Sequence, residues 1–206
     1  MTTFYLIRHA TNDYLPHTLV GRKPGVRLND AGRREAESLA NALAAEGIQN
    51  VFSSPMERCR ETAEPLAWKL KLEVRVMEAL TEVDFGDWTG RKIAELNSQD
   101  AWKQWNTFRS GARAPNGESM WEVQMRMVGA LEKLRRDFAG QRVALFSHGD
   151  PLRASIIYFL GMPLEFIRRI ELSTASVSVL AFTEWDVQVL QLGCRYGPGE
   201  GKGIAN

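Results

Sequence analysis

The chain has 206 residues, 44% hydrophobic and 25% charged, the make-up of an ordinary globular protein with ample length for a core. Its 26 basic and 25 acidic residues leave a net charge of +1, which argues against a nucleic-acid partner, since such binders usually carry a basic excess. No apolar run nears the roughly 20 residues of a membrane helix, and Met1–Ile7 lacks a signal's basic start and cleavage site, so no membrane partner is expected. Two cysteines, Cys59 and Cys194, are too few for a disulfide framework, and a reduced, cytoplasmic setting is the expectation.

The first element is a strand over Thr3–Ile7, rich in β-formers and ending at Arg8-His9. A helix follows Leu28-Asn29-Asp30, with Ala36, Leu39, Ala40 and Leu43 at helical spacing. Asn29 or Asp30 caps it and Gly47 stops it. A second strand over Ile48–Phe52 ends at Ser53-Ser-Pro55, where a second helix opens carrying Arg58, Thr62, Leu66 and Leu70. The stretch 86–121 breaks the alternation, holds four of the six tryptophans, and reads as a helical insertion within a single domain. A long helix spans about 118–138, with Met120, Val123, Met127, Leu131 and Leu134 on one face. A third strand over Arg142–Phe146 runs into Ser147-His-Gly149. Asp150-Pro151 reads as an N-cap with proline at the first helical position, and that helix ends at Gly161. Strands over 176–182 and 187–192 form an antiparallel hairpin, and 194–206 reads as a flexible tail. The fold class expected is α/β: a three-layer α/β/α sandwich around a mostly parallel sheet.

In such a sheet, ligands bind beyond the carboxyl ends of the strands. Those ends bring Arg8 and His9, then Arg58 in the first turn of the second helix, then His148 and Gly149 to one rim. Two arginines, two of the three histidines and helix N-termini suit a doubly charged tetrahedral oxyanion. The loop after His9, with Thr11, Asn12 and Arg22, is expected to line the pocket and bind substrate. His17 reads as a surface residue, Arg153 as packing, Cys59 as buried, and the tryptophans as core. A cysteine phosphatase requires cysteine and arginine separated by five residues, but the sixth residue after Cys59 is Pro65 and after Cys194 is Glu200, and no Walker loop is present. Three histidines are poor material for a metal site, so neither a metal nor another cofactor is expected.

These residues resemble the phosphoglycerate mutase-like histidine phosphatase superfamily over nearly the whole chain. Leu6-Ile-Arg-His-Ala10 is similar to its opening motif. Leu28-Asn-Asp-Ala-Gly32, Ser53-Ser-Pro-Met-Glu-Arg58 with Thr62-Ala63, Leu80-Thr-Glu82 before Gly86-Asp-Trp88, Pro115-Asn-Gly-Glu-Ser119 and Ser147-His-Gly149 follow in the family's order. The resemblance implies that His9 is the nucleophile, forming a phosphohistidine. It implies that Arg8, Arg58 and His148 surround the phosphoryl oxygens, and that Glu82 is the general acid, with Asp84 and Asp87 as near rivals. It implies too that the helical insertion 86–121 lies over the active site. A protonated His148 suits that task. Ala10 stands where the family has glycine, and Leu15 where some mutases have asparagine. The expectation is a metal-independent phosphomonoesterase acting on a small phosphate-ester substrate. A phosphoglycerate mutase using the same site, and a non-catalytic phosphate-binding or scaffold module, are the alternatives. A homodimer through a sheet edge is left open.

Overall fold

The computed structural model describes residues 1–196. Strands β1 (Thr2–Arg8), β2 (Asn50–Ser53), β3 (Val74–Val76), β4 (Arg142–Ser147), β5 (Val177–Phe182) and β6 (Val187–Cys194) form one sheet in the order β3-β2-β4-β1-β5-β6. The four strands β3, β2, β4 and β1 run parallel, and β5 and β6 add an antiparallel hairpin beside β1. Helices α1 (Asp30–Leu43) and α2 (Glu57–Leu70) cover one face, and α5 (Met120–Asp137) and α6 (Gly149–Phe159) the other. Along β1, Phe4 and Leu6 join the core under α5 and α6, while Tyr5 and Ile7 join the core under α1 and α2. Burial on both faces is why the strand reads as an unbroken apolar run.

The insertion carries two short helices, α3 (Ile93–Leu96) and α4 (Asp100–Thr107). Trp88, Trp102 and Trp105 pack edge-to-face and share one core cluster with β1, β4, α5 and α6. Trp121 lies in α5 and is exposed. Among the described residues, no helix is long and apolar enough to cross a membrane.

Local chemistry sets the helix ends. Asn29 Oδ1 accepts the Gly32 N–H at 2.9 Å, choosing Asn29 over Asp30 as the α1 cap. Ser119 and Glu122 form a reciprocal capping box at the start of α5. Helix α6 differs from expectation: its N-cap is His148, and Asp150 sits inside the first turn. Asp150 is drawn there by two ion pairs, to Arg109 at 3.3 Å and Arg153 at 3.2 Å. Edge strand β3 was not expected; its three residues are too few for a period. Strand β6 runs through Cys194, so the expected tail starts too early at that residue; the rest of it, from 197 on, lies outside the described residues.

The register places the site. Arg8 on β1 stands opposite Ser147 on β4, so His9 and His148 leave the sheet side by side. Ser53 on β2 stands opposite Phe146, which brings Ser54 to the same rim.

Candidate active site

The two histidine rings lie 5.3 Å apart, centre to centre. Both are buried, His9 at 3% and His148 at 0% exposure. The His9 backbone is tied on both sides: its N–H donates to Ser147 O, and its C=O accepts from Ala175. Its Nδ1 lies 2.8 Å from the carbonyl oxygen of Ala10. A carbonyl only accepts, so Nδ1 holds the proton and Nε2 presents a bare lone pair. Burial, then the charges of Arg58 and Arg8, hold His9 well below its ordinary pKa of 6.5, which keeps the ring neutral.

His148 is wired the other way. Its Nδ1 accepts from Arg58 Nη2 at 3.0 Å, and its Nε2 donates to Ser54 Oγ at 2.8 Å. An arginine can only donate, so the ring has one proton, on Nε2. Burial and the Arg58 charge also hold His148 well below the usual range. His148 is therefore neutral where a protonated ring was expected, and the fixed positive charge there comes from the arginines.

Arg58, fully buried in the first turn of α2, also donates from Nη2 to Gly21 O at 2.9 Å. Among the described residues its Nε and Nη1 have no hydrogen-bond partner, and neither has Arg8 Nε or Asn12 Nδ2. Arg8 is anchored through Nη1 to Leu172 O at 2.5 Å, and Asn12 through Oδ1, which accepts the Tyr14 N–H at 3.0 Å. Buried N–H donors without partners are rare because each forfeits its hydration. Arg8 and Arg58, whose charges both act on His9 and His148, therefore carry three donors that can hydrogen-bond oxyanion oxygens, and Asn12 Nδ2 is a further unpartnered donor in the loop after His9. The start of α6 lies beside the Arg8 guanidinium: a Cβ on Gly149 would be 3.4 Å from Arg8 Nε.

Glu82 enters from the segment after β3. Its Oε2 is 3.7 Å from His148 Nδ1, and its Oε1 accepts the Val83 N–H at 2.9 Å. Burial is the first cause that pushes its carboxyl up to about 7, with the Asp150 charge adding and Arg58 opposing. A carboxyl poised there can both give and take a proton near neutrality. Its rival Asp87 is exposed and bonded to Asn116, and Asp84 faces Arg22.

Two residues of the following loop are turned elsewhere. Thr11 bonds Glu35 through both its N–H and its hydroxyl, and meets Thr174. Arg22 donates to the Glu82 carbonyl and to Glu118. His17 is exposed. Arg153 donates to Ile170 O and pairs with Asp150 and Glu171. Cys59 is buried against Ser147 O, and burial pushes its thiol up to about 12. Sequence reasoning missed Ser54, Gly21 O and Leu172 O. The Ser53-Ser54 doublet was a signal for the first; backbone carbonyls carry none. Among the described residues, no group of three or more His, Cys, Asp or Glu side chains is arranged to hold a metal ion.

The profile described as "histidine phosphatase superfamily (branch 1)" matches residues 4–195. Phosphoserine phosphatase 1 of Hydrogenobacter thermophilus is 30% identical over 97% of this chain and 96% of its own. A probable phosphoglycerate mutase GpmB of Photorhabdus laumondii is 32% identical over 86% of this chain and 84% of its own. The solved structure of Bacillus stearothermophilus YhfR superposes with a TM-score of 0.87 at 25% identity, covering 94% of this chain and 97% of that one.

Proposed function

We propose, starting from the fact that the chain belongs to the histidine phosphatase superfamily, that it hydrolyses phosphate monoesters of small metabolites through a phosphohistidine at His9. The observation that carries this reading is the neutral His9, its Nδ1 proton tied to Ala10 O and its Nε2 bare, beside buried guanidinium donors that have no partner among the described residues. In the first step His9 Nε2 attacks phosphorus and the bond to the ester oxygen breaks. Glu82, protonated, gives its proton to the departing oxygen. Arg8 and Arg58 hold the non-bridging oxygens, with Asn12, Gly149 and His148 at the same rim of the sheet. In the second step the Glu82 carboxylate takes a proton from water. That oxygen attacks phosphorus, and phosphate leaves a restored His9. The guanidiniums supply the positive charge, so the reaction calls for no metal.

An alkaline denaturing quench after incubation with ³²P-labelled ester tests this. Label on His9, lost in His9→Ala together with activity, is expected; full activity in His9→Ala refutes it. Vanadate should inhibit and EDTA should not. O-phosphoserine is the first ester to assay, because a relative is named for it. The mutase reading is favoured by the relative named a probable phosphoglycerate mutase. Isomerised phosphoglycerate without phosphate release would establish it.

A further inference from the structure

The segment Pro115-Asn-Gly-Glu-Ser119 takes no part in the chemistry above, yet it is built against the residue that does. Asp87 N donates to Pro115 O at 3.0 Å, and Glu118 N donates to Asp84 O at 2.8 Å, so the end of the insertion is laced to the segment after Glu82. The approach leaves no room for side chains: a Cβ on Gly86 would lie 2.0 Å from Pro115 O, and one on Gly117 2.3 Å from Asp84 O.

From this seam the Glu118 carboxylate collects three donors on Oε2: Arg22 Nη2 at 2.8 Å, Arg126 Nη2 at 3.2 Å and Asp84 N at 3.0 Å. Its Oε1 accepts Arg126 Nε at 3.0 Å. Both guanidiniums then reach one further acceptor, the backbone carbonyl of Glu82, from Arg22 Nε at 2.9 Å and Arg126 Nη2 at 3.1 Å. Arg126 also holds Ala79 O at 2.7 Å. Two elements distant in sequence, the loop after β1 and α5, thus converge on one carbonyl, and the end of the insertion ties their guanidiniums together. Fixing it fixes the Glu82 backbone, and with Oε1 held on the Val83 N–H it sets where the carboxyl stands beside His148.

We infer that Glu118, by holding Arg22 and Arg126 on the Glu82 carbonyl, is a positioning residue for the proton donor. This role rests on Glu82 being that donor. Its signature is dependence on the leaving group. A nitrophenolate departs without a proton; the alkoxide of an alkyl phosphate does not. The readout is kcat/KM for p-nitrophenyl phosphate and for O-phosphoserine, since kcat/KM reports the steps up to the first irreversible one, here ester cleavage.

Glu118→Gln should lose roughly 10- to 100-fold on phosphoserine and less than about threefold on p-nitrophenyl phosphate. Arg22→Lys, on a half-exposed loop, is the second variant if the first does not fold. One ammonium cannot reproduce the fork that bonds Glu82 O and Glu118 together, and the same selective loss is expected. Glu82→Gln, run alongside, should show a larger selective loss, about 10²- to 10⁴-fold on phosphoserine. Equal losses on both esters, or none, in the clamp variants while Glu82→Gln is selective would overturn the positioning role. A Glu82→Gln that is not selective would overturn the proton-donor reading and the positioning role with it.

Discussion

Replacing Glu82 by glutamine should make the protein more stable above neutral pH, and the size of the effect follows from its environment. The carboxyl titrates at about 7 in the folded chain rather than at its ordinary 4.5, first because it is buried. Between those two values the folded chain keeps a proton that the unfolded chain has lost. Stability therefore falls as pH rises through that window, and the loss is complete above about 7. At about 1.4 kcal/mol per pH unit, the cost approaches ~3 kcal/mol. Glutamine keeps the shape and the acceptor for the Val83 N–H but has no charge to desolvate. Urea denaturation of both proteins near pH 5 and near pH 8 isolates the term, because His9, His148 and the other titrating groups are common to both and cancel in the difference. Wild type and Glu82→Gln should be close in stability at the lower pH. They should separate by about 3 kcal/mol at the higher one, with the variant more stable and less active on alkyl esters. Parallel stability profiles, or a variant less stable near pH 8, would refute the claim that burial of this carboxyl sets its titration.

The same titration governs rate. The wild-type kcat/KM on an alkyl ester should fall about tenfold per pH unit above roughly 7, as Glu82 loses its proton, and that limb should vanish in Glu82→Gln. Arg58→Met removes the partner of His148 Nδ1 and Gly21 O and two of the unpartnered donors; a loss of at least ~10² in kcat/KM, with weaker phosphate inhibition, is expected from steady-state assays. Because Arg58 also depresses both histidines, their pKa values should rise in that variant, measurable by NMR titration. Gly129→Ala, in α5 with open space around its Cβ position, should add about 0.5–1 kcal/mol of stability. Gly86→Ala, at φ +50° with a backbone oxygen 2.0 Å from the new atom, should instead cost more than about 2 kcal/mol and cut activity, read by thermal melts and assay.

The parallel core of the sheet and its helices were legible because each repeats a pattern over many residues. Buried strands read as apolar runs, and α1 and α5 as stripes at helical spacing. Strand ends were legible too, and with them His9, Arg8 and His148, since chain direction alone sends those residues to one rim. Arg58 was legible from its place just after the Ser-Ser-Pro turn. Short elements were not: β3 has three residues, and the α6 boundary turned on the ion pairs that pull Asp150 into the first turn.

Protonation could not be read along the chain at all. Sequence alone supplies two histidines near an anion site, and ordinary imidazole chemistry then suggests a charged His148. Packing decides otherwise, because Arg58 can only donate and occupies Nδ1, while burial penalises the cation. The role of Arg22 shows the same limit. As a residue in a loop after the nucleophile it looked like a substrate contact, but its partners, Glu118 and the Glu82 carbonyl, lie 96 and 60 positions away. Sequence determined which side chains reach the rim, because strand direction and helix period are local properties. Tertiary structure decided their charge states and their supports, because burial and hydrogen-bond partners exist only once distant segments meet.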